Sequence, residues 1–320
     1  MNTIVDRIST DLHLNSEYVS EIISRSNFYY KDYYIPKVAG KKRKISQPSP
    51  ELKTLQYWAL KNVLIYLPVS QAAYAYKTGE SIKKHAAFHA DSKFIFHTDI
   101  QNFFPSIHSE VFSSILFENK NIIEYQNNWY DDICDVIPNI CFRHNSLCVG
   151  TVSSPCISNI VLYQFDEWMK SFCKKRHLKY SRYADDMYIS SKSYIPTEIA
   201  TELVTRLEAS GFKVNKDKTW YHSKKHKQRI TGLIITTDEQ ISVGSEMRNK
   251  IKQMIYDRLV KHKGDPNVIL GYLSFLKDIE PNTYNHYIIK YSTYCSGDVI
   301  SAIKNPEIHN FQTDLVKSIG

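Results

Sequence analysis

The sequence predicts an α/β fold: a mixed sheet with helices behind it, followed by a helical C-terminal region. Three observations carry this. Two short runs rich in strand-forming residues, Lys179 to Tyr183 and Met187 to Ser190, flank Ala184-Asp185-Asp186 and so predict a β-hairpin with acids at its tip. A second apolar, β-branched and aromatic run, Phe94 to Ile100, also meets an acid, Asp99. Helical spacing then dominates: Ile199, Leu203 and Leu207, and later Met247, Ile251, Met254, Ile255 and Leu259. With 320 residues and 42% apolar content, a sizeable core and one to two domains are expected.

Each element has a local reason. Asn15 to Ser24 reads as a helix after an Asn-Ser cap. The basic run Lys41-Lys42-Arg43-Lys44 reads as a hairpin tip or loop. Ser49-Pro50 supplies a cap and first-turn pair for a helix that turns Leu52, Leu55, Ala59 and Val63 inward. Pro105 stops regular structure soon after Asp99. A helix starts near Thr197 and stops at Gly211. Ser245 to Gly264 forms a long amphipathic helix. No internal repeat or low-complexity linker interrupts the chain. The natural division is 1–235 and a helical region, 236–320.

Adjacent carboxylates repel unless a cation or water offsets them. Asp185 and Asp186 alone fit a solvated acidic turn, and Asp99 alone fits a turn cap. Two strands can instead bring all three together, where carboxylate oxygens suit a hard ion such as Mg²⁺. Two such ions and three acids suffice for in-line phosphoryl transfer, which needs positioning and charge.

The order Asp-x-x-x-x-Phe, Ser-Pro-x-x-x-Asn, Tyr-x-Asp-Asp resembles the palm of a reverse transcriptase. The resemblance implies a right-hand polymerase, with fingers and palm in 1–235 and a thumb in 236–320. It implies two Mg²⁺ ions held by Asp99, Ile100, Asp185 and Asp186, with the three acids catalytic. Phe104 is then the steric gate that selects dNTPs by excluding a ribose 2′-hydroxyl. Gly150 to Asn159 resembles the block Pro-Gln-Gly-x-x-x-Ser-Pro-x-x-x-Asn, with Gly150 close to the nucleotide and Cys148-Val149 replacing Pro-Gln. Lys218, with Lys216 as the alternative, corresponds to a lysine near pyrophosphate. Lys41 to Pro48 resembles Arg-x-Ile-x-x-Pro, which sets Arg43 against triphosphate.

Three further segments are similar to the retron reverse transcriptases of bacteria: Lys84 to His89, Ile230-Thr231-Gly232, and Gly271 to Pro281. The resemblance implies RNA recognition by His89, Thr231 and Gly232. It implies a dedicated noncoding RNA template, 2′-hydroxyl priming, a branched RNA–DNA product, and a separate effector protein in defence against phage. An intron-like or abortive-infection reverse transcriptase is the neighbouring enzyme reading. A catalytically retired RNA-binding protein is the non-enzyme reading, against which the three intact acids argue.

Composition agrees with a polyanionic partner: net charge is +8 and the pI about 8.9. Arg248, Lys252, Arg258, Lys261 and Lys263 lie mostly off the apolar stripe of their helix, as duplex phosphates would require. The 23 tyrosines and 14 phenylalanines offer stacking surfaces for unpaired bases. No apolar run approaches the roughly 18 residues of a membrane span. The start lacks a secretory pattern, and six cysteines without a Cys-x-x-Cys pair fit reduced thiols, so a cytoplasmic protein is expected. His222 and His226 have metal-pair spacing, but the surrounding lysines favour a solvated or RNA-facing loop.

Overall fold

The computed structural model describes residues 3–36, 40, 42–127, 130–225, 228–295 and 297–305. Lys41 of the basic run, His226 of the histidine pair and the end of the 236–320 region lie outside the described residues. In chain order the elements begin α1 (Ile4–Leu12), α2 (Ser16–Ser24), β1 (Tyr30–Pro36), β2 (Lys42–Pro48), α3 (Pro50–Asn62), α4 (Ile82–Phe88) and β3 (Phe94–Asp99). There follow α5 (Ser109–Glu118), α6 (Lys120–Asn127), α7 (Ile133–Cys141), α8 (Ser154–Val161), α9 (Tyr163–Lys174), β4 (Lys179–Tyr183) and β5 (Asp186–Ser191). The remainder is α10 (Thr197–Ala209), β6 (Trp220–Ser223), β7 (Gln228–Ile230), β8 (Leu233–Ile235), β9 (Ile241–Ser242), α11 (Ser245–Lys261), α12 (Pro266–Ile279), α13 (Pro281–Ser292) and α14 (Val299–Lys304).

These elements form two compact units, residues 1–80 with 92–221, and residues 81–91 with 222–320. In the first, a sheet runs in the order β4-β5-β3-β6, and β1 and β2 form a separate antiparallel ribbon. Strand β5 pairs antiparallel with β4 and β3, from Phe94 opposite Ser191 to Asp99 opposite Asp186. Buried Ile95, Phe96, Met187 and Ile189 mark the sheet's core. Ile157, Ile160, Met169, Leu203 and Leu207 join that core from α8, α9 and α10. Local signals act as read. Asn15 Oδ1 accepts from Glu17 N and Tyr18 N at the start of α2. Ser49 Oγ caps α3, and Gly211 follows α10 with φ +84°.

In the second unit β7, β8 and β9 form a small antiparallel sheet, and α11 to α14 follow. By compactness the chain divides between 221 and 222, because α4 packs on β7, β8 and β9 and draws them into one unit. All six cysteines are free thiols, with Cys141, Cys173 and Cys295 buried.

Candidate active site

The three acids converge at one end of the first unit's sheet. Tyr183 pairs with Asp186, which leaves Ala184-Asp185 as a two-residue hairpin turn. Ala184 sits at φ +57°, a left-handed conformation that costs an L residue about 1–2 kcal/mol. Two bonds hold this turn. Ile100 N donates to Asp185 O at 3.0 Å, and Arg182 Nη1 donates to Ala184 O at 3.0 Å.

Arg182 is fully buried and so must be paired. Asp166, also fully buried on α9, takes Arg182 Nη2 at 2.6 Å and Nε at 3.0 and 3.1 Å, and Tyr180 Oη donates to it at 2.7 Å. Burial opposes charge on Arg182, but Asp166 outweighs it and raises the guanidinium's affinity for its proton. A buried ion pair thus fixes the carbonyl one residue before Asp185. Sequence reasoning missed it, although Asp166 shares the inward stripe of α9 with Met169 and Cys173. An acid on an apolar helix stripe is the signal that could have found it.

Each flanking acid has its own partners. Asp99 Oδ2 takes Lys218 Nζ at 2.5 Å and its Oδ1 takes Asn215 Nδ2 at 3.2 Å, while Asn215 N bonds Asp99 O at 2.7 Å. Asp186 Oδ1 meets His97 Nε2 at 2.8 Å. His97 Nδ1 donates to Lys218 O at 2.9 Å, and the ring stacks on Trp220 with centroids 4.9 Å apart. Burial, then the charges of Asp186 and Asp99, push the Asp185 carboxyl up to about 6. On Lys218 burial works against the charge, but Asp99 outweighs it and the ammonium is stabilised.

The donor chemistry fits a hard divalent ion. Three carboxylates converge, their repulsion is visible in Asp185, and Lys218 already supplies a cation to Asp99. Among the described residues no group of three or more His, Cys, Asp or Glu side chains is gathered closely enough to hold a metal ion as the fold stands. Two of the three acids are instead held by Lys218 and His97. The Ile100 side chain is buried and apolar, so only its carbonyl has metal-binding chemistry.

The other expected residues distribute as follows. Phe104 is half-buried, 5.2 Å from the Phe103 ring and 6.4 Å from the Tyr76 ring. Arg43 is exposed on β2 opposite Ile35. Gly150, at φ +114°, passes so close to β2 that a Cβ would lie 2.8 Å from Ile45 Cγ2 and 3.0 Å from Ser46 O. Its lack of a side chain is required there by the protein itself. Val149, in place of Gln, uses its carbonyl to accept from Ser46 N at 2.8 Å. Lys216, the alternative to Lys218, instead lines a cavity of about 590 Å³ with Gln101, Lys213 and Asp217.

In the second unit Thr231 and Gly232 form the β7–β8 turn, with φ +44° and +86°. Thr231 Oγ1 lies 3.4 Å from His85 Nδ1. His89 is fully buried, edge-on to His85 and Phe88, so an RNA would meet Thr231 and Gly232 before it. On α11, Arg248 pairs with Glu280 at 3.5 Å, Lys261 pairs with Asp257 at 2.8 Å, and Lys252 lies 5.6 Å over the Tyr287 ring. Arg258 is engaged internally, donating to Ile303 O at 2.8 Å, Lys304 O at 3.3 Å and Gly264 O at 3.4 Å.

Residues 35–235 match the family model for reverse transcriptase (RNA-dependent DNA polymerase). Retron Ec83 reverse transcriptase of Escherichia coli is 32% identical over 276 residues, covering 81% of this chain and 85% of that protein. The chain belongs to the bacterial retron reverse transcriptases. Retron Ec86 reverse transcriptase, from the same organism, is 29% identical over 96% of this chain and 92% of its own. In fold, this reverse transcriptase resembles apo telomerase from Candida tropicalis, with a TM-score of 0.52 at 12% identity. That likeness covers 85% of this chain and spans 59% of the telomerase chain. The mixed α/β architecture is that of a right-hand polymerase, and the activity is RNA-directed DNA synthesis. Among the described residues no helix is long and apolar enough to cross a membrane.

Proposed function

We propose that this reverse transcriptase copies a dedicated structured noncoding RNA into single-stranded DNA. Synthesis starts from a 2′-hydroxyl of that RNA and leaves a branched RNA–DNA product, and a separate effector protein uses the complex in defence against phage in the cytoplasm. The observation that carries the reading is the convergence of Asp99, Asp185 and Asp186 in a chain similar to retron enzymes over most of its length.

Asp99, the Ile100 carbonyl, Asp185 and Asp186 would hold two Mg²⁺. Bound there, the ions supply charge to activate the attacking hydroxyl and to neutralise triphosphate and pyrophosphate. Lys218, which sits on Asp99 Oδ2, would hold the pyrophosphate. Arg43 faces the triphosphate, Gly150 lies close to the nucleotide, and Phe104 blocks a ribose 2′-hydroxyl. Thr231 and Gly232 present the RNA-recognising turn with His89 behind them. Arg248, Lys252, Arg258 and Lys261 face duplex phosphates. In this reading residues 1–235 act as fingers and palm and 236–320 as thumb.

Sequencing the nucleic acid that copurifies with the protein tests template, product and branch together. The wild type should carry one RNA species joined to DNA through a 2′ linkage, and Asp185→Asn should carry the RNA alone. DNA in both, or RNA of random sequence in both, overturns the proposal.

A further inference from the structure

Tyr76 has a backbone that a bulky residue seldom adopts, at φ +61°. The residue is 51% exposed, and its ring lies 6.4 Å from the Phe104 ring, tilted by 35°. The strain cannot relax locally, because the chain on its N-terminal side is pinned. Ala72 O accepts from Arg182 N at 2.8 Å, and Tyr74 N donates to Arg182 O at 2.8 Å. Ala75 O accepts from Asn159 Nδ2 at 2.9 Å. Ala72, Ala73, Ala75 and Asn159 are all buried. The Asn of the Ser-Pro-x-x-x-Asn block therefore grips the residue immediately before Tyr76.

The surroundings of the ring are those of the reaction. Burial, then the negative charge of Asp185, raises the Tyr76 phenol above its ordinary range, and Arg43 acts in the opposite direction. Tyr76 thus lies within the fields of both the catalytic turn and the arginine read as facing triphosphate. Among the described residues its hydroxyl makes no hydrogen bond, so the fold does not use it. Strain that the surroundings impose on an exposed ring at an active site is a mark of function.

We propose that Tyr76 and Phe104 form one aromatic wall that seats the sugar and base of the incoming deoxynucleotide, with Asn159 as the positioning residue that directs Tyr76 to it. This rests on the reading of the site as a dNTP-using polymerase site and adds a second determinant of nucleotide affinity beside the gate.

The strain makes the test decisive. Glycine takes a positive φ freely and asparagine tolerates it, so Tyr76→Gly and Tyr76→Asn relieve the backbone while removing the ring. In the full-length protein, each should keep or raise the melting temperature. Each should also raise KM for dNTP about tenfold, with kcat within about threefold, on a primed RNA template. Tyr76→Phe should stay near wild type, since the ring does the seating. Asn159→Ala should raise KM in the wild-type background and add little to Tyr76→Gly. Wild-type KM in both relieved variants overturns the proposal, as does a lowered melting temperature in both, which would assign the ring to packing. A wild-type protein that makes no DNA on that template would instead overturn the polymerase reading beneath it.

Discussion

The hairpin that carries Asp185 and the helix α11 both gather like charges, and they manage them in opposite ways. In the hairpin the groups are largely buried, and their partners come from remote segments: Lys218 for Asp99, His97 for Asp186, Asp166 for Arg182. On α11 Lys252 and Lys261 meet water, and their partners are soft or local: the Tyr287 ring under Lys252 and Asp257 one turn before Lys261. In low dielectric a charge is worth several times what it is at the surface, so buried pairs dictate position. Surface pairs contribute little to stability and leave their charge available to a partner. One region fixes where its charges lie, and the other leaves Lys252 and Lys261 at the surface.

The sharpest way to break this contrast is Asp166→Ala. It strands the Arg182 guanidinium without its partner, with both side chains fully buried. A destabilisation of about 3–5 kcal/mol is expected by chemical denaturation. Lys261→Ala, which removes only an exposed i,i+4 pair with Asp257, should cost far less in the same assay. Similar losses for the two would remove the distinction.

Asp185 should move stability the other way. Its folded carboxyl is raised from 3.8 to about 6 by burial and by its two neighbours. A raised acid binds its proton more tightly when folded, so it destabilises the metal-free fold once ionised. That penalty grows as pH rises from about 4 and is complete above about 6. Asp185→Asn should therefore stabilise the metal-free protein at pH 8 by at most about 3 kcal/mol, with no gain below pH 4, while DNA synthesis is lost. Melting curves across that range decide it, and a pH-independent effect would detach the shift from the carboxyl.

Arg258 divides α11 itself. Its bonds to Ile303 O and Lys304 O tie α11 to the end of α14. Arg258→Ala should lower stability by about 1–2 kcal/mol and also weaken binding to the duplex. If its salt slope stays at the wild-type value, this arginine is structural alone. Lys252→Ala gives the smallest stability effect, near zero. It should reduce the slope of log affinity against log salt by about 0.7–0.9 without changing which RNA is preferred. An unchanged slope would leave Lys252 as a solvated cation only.

Much of the fold was legible from local chemistry. The cap at Asn15, the Ser49-Pro50 start, the stop at Gly211 and the inward Ile199, Leu203 and Leu207 are short-range signals, and each element appears where read. The three acids were legible because both strand-forming runs were. Less legible were residues whose role depends on a partner far along the chain. His97 reads as one more strand residue until Asp186 and Lys218 O are placed beside it. Gly150 reads as permissive backbone, and that a Cβ there would meet Ile45 and Ser46 of β2 shows only in the fold. That His89 is buried, edge-on to His85 and Phe88, likewise shows only in the fold.

By itself, the sequence determined the strands and helices, the acids at the hairpin and strand end, and the family. Those depend on propensity, periodicity and motif order, which act over a few residues or are carried in the chain's linear pattern. Only the tertiary structure decided which groups each charge and ring meets within the protein. Arg182 and Arg258 are bound internally, Lys218 lies on Asp99, and Tyr76 is held strained beside Phe104. The physical reason is that burial and pairing arise between segments remote in sequence, and the dielectric they create exists only once the chain has folded.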